Sequence, residues 1–192
     1  MRYKPGHKEE SRARILEAVG RGFRRHGVGG IGVDGLAQAA GVTSGAFYVH
    51  FPNKSAAFEA AALAGLEALL AGIETLQAER GAAWIDAFVD FYLGVRRTCE
   101  LGDACGLQAL TPEVMRADEA VRGRYEASLL RLVDRVAQGL PERPGAPPAR
   151  ERAWALLAML SGGVSMARST ASAPVGEDIA AALKRVALAV AG

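Results

Sequence analysis

Between Val33 and Phe58 the chain reads VDGLAQAAGVTSGAFYVHFPNKSAAF, and this stretch constrains the fold more than any other. One helix fits Val33 to Ala40 and stops at Gly41. A second fits Ser44 to His50, with Thr43 as its N-cap and Pro52 beyond its end. Only Gly41-Val42-Thr43 separates them, so two short helices joined by a tight turn are predicted, a helix-turn-helix. Helices this short do not persist alone in water. They need an apolar face against a neighbour. Phe47 and Phe51, four residues apart, supply one, with Val42 and Phe58 beside them.

The neighbour is the helix from Glu9 to His26. Its residues Ile15, Leu16, Val19 and Phe23 fall on one side at ~100° per residue. Phe47 and Phe51 are expected to pack on Ile15, Val19, Phe23 and Leu36. Arg14, Arg21 and Arg25 fall on the opposite side. There Glu10–Arg14 and Glu17–Arg21 are spaced as i,i+4 pairs, the pattern of a solvated face. Gly27 ends the helix. Gly32 has no side-chain oxygen with which to cap the helix that follows, so that helix is expected to fray at its start. Residues 1–8, with Pro5-Gly6 inside, read as an arm. Residues 1–54 carry nine Lys and Arg against four Asp and Glu, a net +5, while the rest of the chain is −3. A basic first quarter suits a polyanionic partner.

From Asn53 onward, helices are predicted near 54–76, 82–98, 104–114, 117–139, 149–172 and 176–191. Breaks are placed at Gly81, Leu101-Gly102-Asp103, Thr111-Pro112, the Pro141–Pro148 linker and Pro174. Alanine dominates the apolar residues and no strand-like alternation appears. The fold class is therefore all-α. Residues 1–53 form a three-helix helix-turn-helix unit, with the arm at 1–8, and residues 54–192 form a helical body. Around Trp84 the chain is apolar on most sides and should be central. Near the end, Ile179, Leu183, Val186 and Val190 form a stripe suited to a partner helix. The longest uncharged helical segment, Ala153–Ala167, is 15 residues, short of the ~20 that a membrane span needs. With no apolar leader and only Cys99 and Cys105, the reading is a cytoplasmic protein with reduced thiols and no membrane partner.

The basic amphipathic helix, the GVDGLAQAAGVTSGAFYVHFPNKSAAF stretch and the all-helical remainder together resemble the TetR family of bacterial transcriptional regulators. The resemblance is densest from Lys8 to Phe58 and rests on Ala40-Gly41-Val42, Gly45, Phe47-Tyr48, His50-Phe51 and Lys54. It implies a homodimer joined by the last two helices, bound to a palindromic operator in double-stranded DNA. It also implies a repressor released by a small-molecule effector of unknown identity, and no enzyme.

On that reading, Thr43, Ser44, Gly45 and Ala46 are the N-terminal end of the reading helix. Their backbone N–H groups are suited to a phosphate, and the Ala46 methyl to a thymine methyl. Tyr48, His50 and Lys54 are assigned to phosphates. No Arg, Asn or Gln stands in this helix for a bidentate base contact. Specificity is therefore expected to lean on DNA shape and on Arg2, Lys4 and Lys8 of the arm. The effector pocket is assigned to Trp84, Phe88, Phe91, Tyr92, Leu107, Met115, Tyr125, Trp154 and Met159 as walls, with Arg96, Gln108 and Arg122 for a polar or anionic group.

Other functions find less support. Gly30-Ile31-Gly32-Val33-Asp34-Gly35 matches G-x-G-x-x-G, but it follows a helix rather than a strand. The three histidines, His7, His26 and His50, all lie near the N-terminus, so the helical body has none for a triad or a zinc site. No cofactor and no metal are predicted. Two alternatives remain: a helical binding or catalytic protein that mimics the motif, and a regulator responding through Cys99 and Cys105 to oxidation.

Overall fold

The computed structural model describes the backbone from His7 to Gly192 and the side chains from Glu9 onward. Arg2 and Lys4 and the Lys8 side chain, to which the arm reading was attached, lie outside the described residues. The described chain is helical and without strands: α1 (His7–Gly30), α2 (Val33–Ala39), α3 (Ser44–His50), α4 (Lys54–Arg80), α5 (Trp84–Leu93), α6 (Val95–Thr98), α7 (Gly106–Val114), α8 (Glu119–Gly139), α9 (Ala149–Arg168) and α10 (Ala173–Ala191).

Side-chain caps open three of the helices. Thr43 Oγ1 accepts a hydrogen bond from the Ala46 N–H at 3.2 Å, Asn53 Oδ1 from Ala56 at 2.8 Å, and Asp118 Oδ1 from Val121 at 2.8 Å. These caps open α3, α4 and α8. Gly27 interrupts α1 at φ 70°, ψ 169°, a conformation that favours glycine, and one irregular turn follows it. Gly32 precedes α2 in extended backbone (φ −85°, ψ 172°) with no side-chain cap. Nothing lies within 4 Å of a Cβ built there. Gly32→Ser is therefore expected to stabilise the chain by about 0.5 kcal/mol, read as a small rise in Tm.

Four boundaries differ from the sequence reading. α4 runs on to Arg80 and ends only where Gly81 takes φ 52°. The helix expected over 82–98 divides at Gly94, where a Cβ would stand 2.7 Å from the Asp90 carbonyl oxygen. Pro112 lies inside α7, close enough to its end that the helix survives the lost N–H. α9 stops at Arg168, and Pro174 sits in the first turn of α10, where its missing N–H costs nothing.

Two regions of core meet along α4. In the first, Ile15, Val19, Phe23, Leu36, Phe47, Phe51, Ala57 and Phe58 are buried together, with Phe23 and Phe58 edge to face at 5.6 Å. In the second, Trp84, Phe88, Tyr92, Leu110, Tyr125, Leu132, Leu156 and Leu160 are buried. Ion pairs Glu59–Arg124, Glu67–Arg131 and Glu74–Arg135 align α4 parallel to α8. Such exposed pairs set register more than they stabilise. An 18-residue window within residues 54–98 reaches a mean hydropathy of 1.6, apolar and long enough to cross a membrane by composition. Here that stretch is interrupted at Gly81 and Gly94, and it packs against α1, α7 and α8.

Arg152 closes the body. It is 4% exposed and donates to the carbonyls of Pro141 (2.6 Å), Pro147 (3.1 Å) and Ala191 (2.9 Å). One side chain thereby ties the proline-rich linker to the end of α10. Arg152→Met keeps the bulk and removes all three donors. It is expected to cost at least ~1.5 kcal/mol in urea denaturation, since hydrogen bonds from charged groups are the strong ones.

Candidate nucleic-acid interface

α3 is seven residues long and divides by face. Phe47 is fully buried, packed against Phe51 with ring centroids 5.4 Å apart. Gly45, Tyr48 and Val49, at i, i+3 and i+4, are exposed on the outside, Tyr48 at 52% and Val49 at 67%. Tyr48 stands edge-on to Phe47 at 5.7 Å, so its ring is fixed while its hydroxyl faces solvent. Thr43 is exposed beside the first turn; Ala46 and Lys54 are half-buried. The sequence-selected residues of α3 and Lys54 thus flank one short loop, residues 51–53.

Three details refine the set. Ser44 is not a free reader: its hydroxyl donates to Asp34 Oδ1 at 2.6 Å, bracing α3 against α2. His50 turns inward enough that its Nδ1 is buried without a hydrogen-bond partner. Val49 and Arg12 were not singled out from sequence. The Arg12 guanidinium lies 5.4 Å over the Phe51 ring, which brings a cation to the C-terminal end of α3. The signal for Val49 was present, as the outward neighbour of Tyr48 on a helix whose inner positions are Phe47 and Phe51.

The basic stripe of α1 has another role. The expected Glu10–Arg14 and Glu17–Arg21 pairs do not form. Arg21 pairs instead with Asp103 and Arg25 with Glu100, while Arg24 Nε donates to the Gly102 carbonyl at 2.7 Å. Glu100 and Asp103 are therefore both engaged by α1. They belong to a turn over residues 100–103 that receives α1. The far side of this turn is held too: Arg168 donates to the carbonyls of Arg96 (2.9 Å), Arg97 (3.1 Å) and Cys99 (2.8 Å). Cys99 is half-buried and Cys105 buried, both as free thiols.

The residues assigned to an effector pocket are not assembled into one wall. Trp84, Phe88, Tyr92, Leu107 and Tyr125 are buried in the second core, with Trp84–Phe88 and Phe88–Tyr92 centroids 6.1 Å and 5.6 Å apart. Met115 is 68% and Trp154 38% exposed, and Arg122 is also on the surface. Phe91 is exposed beneath Arg96, and Met159 is half-buried on α9. Helix packing thus places Trp84, Phe88, Tyr92 and Tyr125 in the core and Met115, Arg122 and Trp154 on the surface. Two buried polar atoms in this set lack partners, the Tyr92 hydroxyl and Gln108 Oε1; the other end of the Gln108 amide donates to Ser165 at 3.0 Å. Burial pushes the Tyr92 phenol well above its ordinary range, and Tyr125, hydrogen-bonded to Thr111 at 2.7 Å, is raised as well. Both are neutral hydroxyls at physiological pH.

Residues 15–61 match the family described as bacterial regulatory proteins, tetR family. Over 47 residues the chain is 47% identical to the HTH-type transcriptional regulator TtgR of Pseudomonas putida; the match covers 24% of this chain and 22% of that protein. Across the whole chain the likeness is of fold. A TetR-family transcriptional regulator from Cytophaga hutchinsonii superposes with a TM-score of 0.75 at 19% identity, over 97% of this chain and 98% of that one. One from Agrobacterium tumefaciens gives 0.74 at 20% identity, over 92% and 97%. Residues 15–61 thus carry the helix-turn-helix of the TetR family, and the chain as a whole has the fold of TetR-family transcriptional regulators.

Proposed function

We propose that the chain is a ligand-responsive repressor that binds a palindromic operator as a homodimer. The observation that carries this reading is the outer face of α3. Gly45, Tyr48 and Val49 stand clear of the protein on a helix whose other face is fully buried. Small residues at its start allow the backbone to approach a major groove closely. Tyr48, His50, Lys54 and Arg12 hold the phosphates on either side. Val49 and Ala46 offer methyl groups to thymine.

A dimer through the last two helices is supported by what they leave uncovered. Trp154, Met166, Val175 and Val186 are exposed large apolar residues on α9 and α10. A Cβ built on Gly162 would meet nothing within 4 Å, so a second copy can come close there, whereas one on Gly163 would run into Leu183 of its own chain. Leu183 is thus spent within the protomer, and Ile179, Val186 and Val190 remain for the partner. The domain limits fit this division of labour, with residues 1–53 binding DNA and 54–192 sensing and dimerising.

Selection from a random pool of duplex DNA tests the proposal. The expected result is enrichment of an inverted repeat, bound by two chains. A pool that shows no enrichment at low salt would leave the rival, a helical binding protein with a mimic of the motif.

A further inference from the structure

Away from the aromatic core, the junction of the two units holds two adjoining clefts. A cleft of about 180 Å³ is lined by Arg24 of α1, Gly65, Ala68 and Leu69 of α4, Arg96 of α6, and Asp103, Ala104, Cys105 and Gly106. A second cleft of about 280 Å³ shares Arg24, Gly65 and Ala68 and runs on between α1 and α4 over Leu16, Gly20, Ala61 and Ala64. Together they form one groove, apolar along its length and cationic at one end, within the ~300–1,000 Å³ range of small-molecule sites.

The cationic end is built and not neutralised. Arg24 commits its Nε to the Gly102 carbonyl, and Arg96 commits one Nη to the Asp103 carbonyl at 2.6 Å. Neither guanidinium has a carboxylate partner among the described residues. The acid that faces them, Asp103, is paired with Arg21. The other acid of the groove, Glu17, is exposed on its rim along α1. Burial disfavours the Arg24 charge, Asp103 offsets this, and Arg21 and Arg96 add to it. A cluster with excess positive charge in a partly dry cleft gains by taking up an anion.

We propose that this groove binds a small organic monocarboxylate, its headgroup between Arg24 and Arg96 and its apolar body along α1 and α4. A molecule seated there touches α1 of the DNA-binding unit and both α4 and residues 103–106 of the body at once. It therefore biases how the two are held together. As an effector site the groove rests on the regulator reading above; as a binding site it does not.

Calorimetry on the intact chain with sodium octanoate tests it, with octanamide as the uncharged match. Octanoate is expected to bind, and octanamide about tenfold or more weaker, the worth of one charge-assisted contact. Arg96→Gln is expected to weaken octanoate by a similar factor. Ala64→Met fills the groove from a half-buried position and is expected to abolish binding without altering the fold. The proposal is overturned by absent octanoate binding, by equal affinity for octanamide, or by unchanged affinity in both variants. Octanoate binding by a chain that binds no DNA would sink the regulator reading and leave the site standing. Operator binding with no octanoate binding would do the reverse.

Discussion

Phe47→Ala is expected to destabilise the helix-turn-helix by about 3–5 kcal/mol and to abolish DNA binding. The size of the effect follows from how little else holds α3. Its seven residues cannot sustain a helix alone, and its one side-chain cap is Thr43. Phe47 is fully buried and touches both Tyr48 and Phe51, so truncating it empties the contact that orients the outer face. Chemical denaturation followed by far-UV circular dichroism reads the loss. Phe47→Leu nearly conserves volume and is expected to cost less than about 1.5 kcal/mol. Tyr48→Ala is the contrast: at 52% exposure it should shift stability by no more than about 0.5 kcal/mol while weakening DNA binding strongly. Loss of stability in Tyr48→Ala equal to that of Phe47→Ala would overturn the division of α3 into a packing face and a reading face.

The second large effect is expected at the crossing of α4 and α7. A Cβ on Gly106 would stand 2.7 Å from the Gly65 Cα, and one on Gly65 would stand 2.9 Å from the Gly106 Cα. Both obstacles are backbone, which cannot swing aside as a side-chain tip does. Gly106→Ala is therefore expected to force the helices apart at a cost of about 1–3 kcal/mol, and Gly106→Val more. Gly65→Ala gains up to ~1 kcal/mol of helix propensity, which partly hides the same strain. Because the two positions share one contact, their effects in the double variant should not add. The crossing borders the Arg24–Arg96 groove, so these variants also test whether the junction is rigid: they should raise the rate of proteolysis at the 100–105 turn.

How far the sequence carried the account differs by element. The Thr43 cap, the burial of Phe47, Phe51 and Phe58, and the turn at Gly41 were legible because each depends on neighbours within a few residues. Gly94 was missed because glycine in an apolar run does not by itself announce a break. Arg21 was matched to Glu17 by the i,i+4 rule, and Arg25 was given no partner. Their real partners, Asp103 and Glu100, lie 82 and 75 residues away. Only the folded chain brings that turn to α1. The residues assigned to the pocket divide between core and surface for a related reason. Aromatic content marks Trp84, Phe88 and Tyr92 as interior, but whether an interior holds space depends on how closely α5, α8 and α9 approach. The groove that does exist is floored by Ala and Gly, which leave room because they have so little side chain.

The central claim is that α3 presents a reading surface to DNA. Its most direct test is fluorescence anisotropy of the intact chain on a palindromic duplex against a scrambled one, repeated across salt. Tight binding to the palindrome is predicted, with a log–log salt slope that flattens by ~0.9 in Lys54→Ala, which removes a charged phosphate contact, and with weaker binding at unchanged slope in Tyr48→Phe. Equal binding to both duplexes, with a slope that Lys54→Ala leaves unchanged, would contradict it.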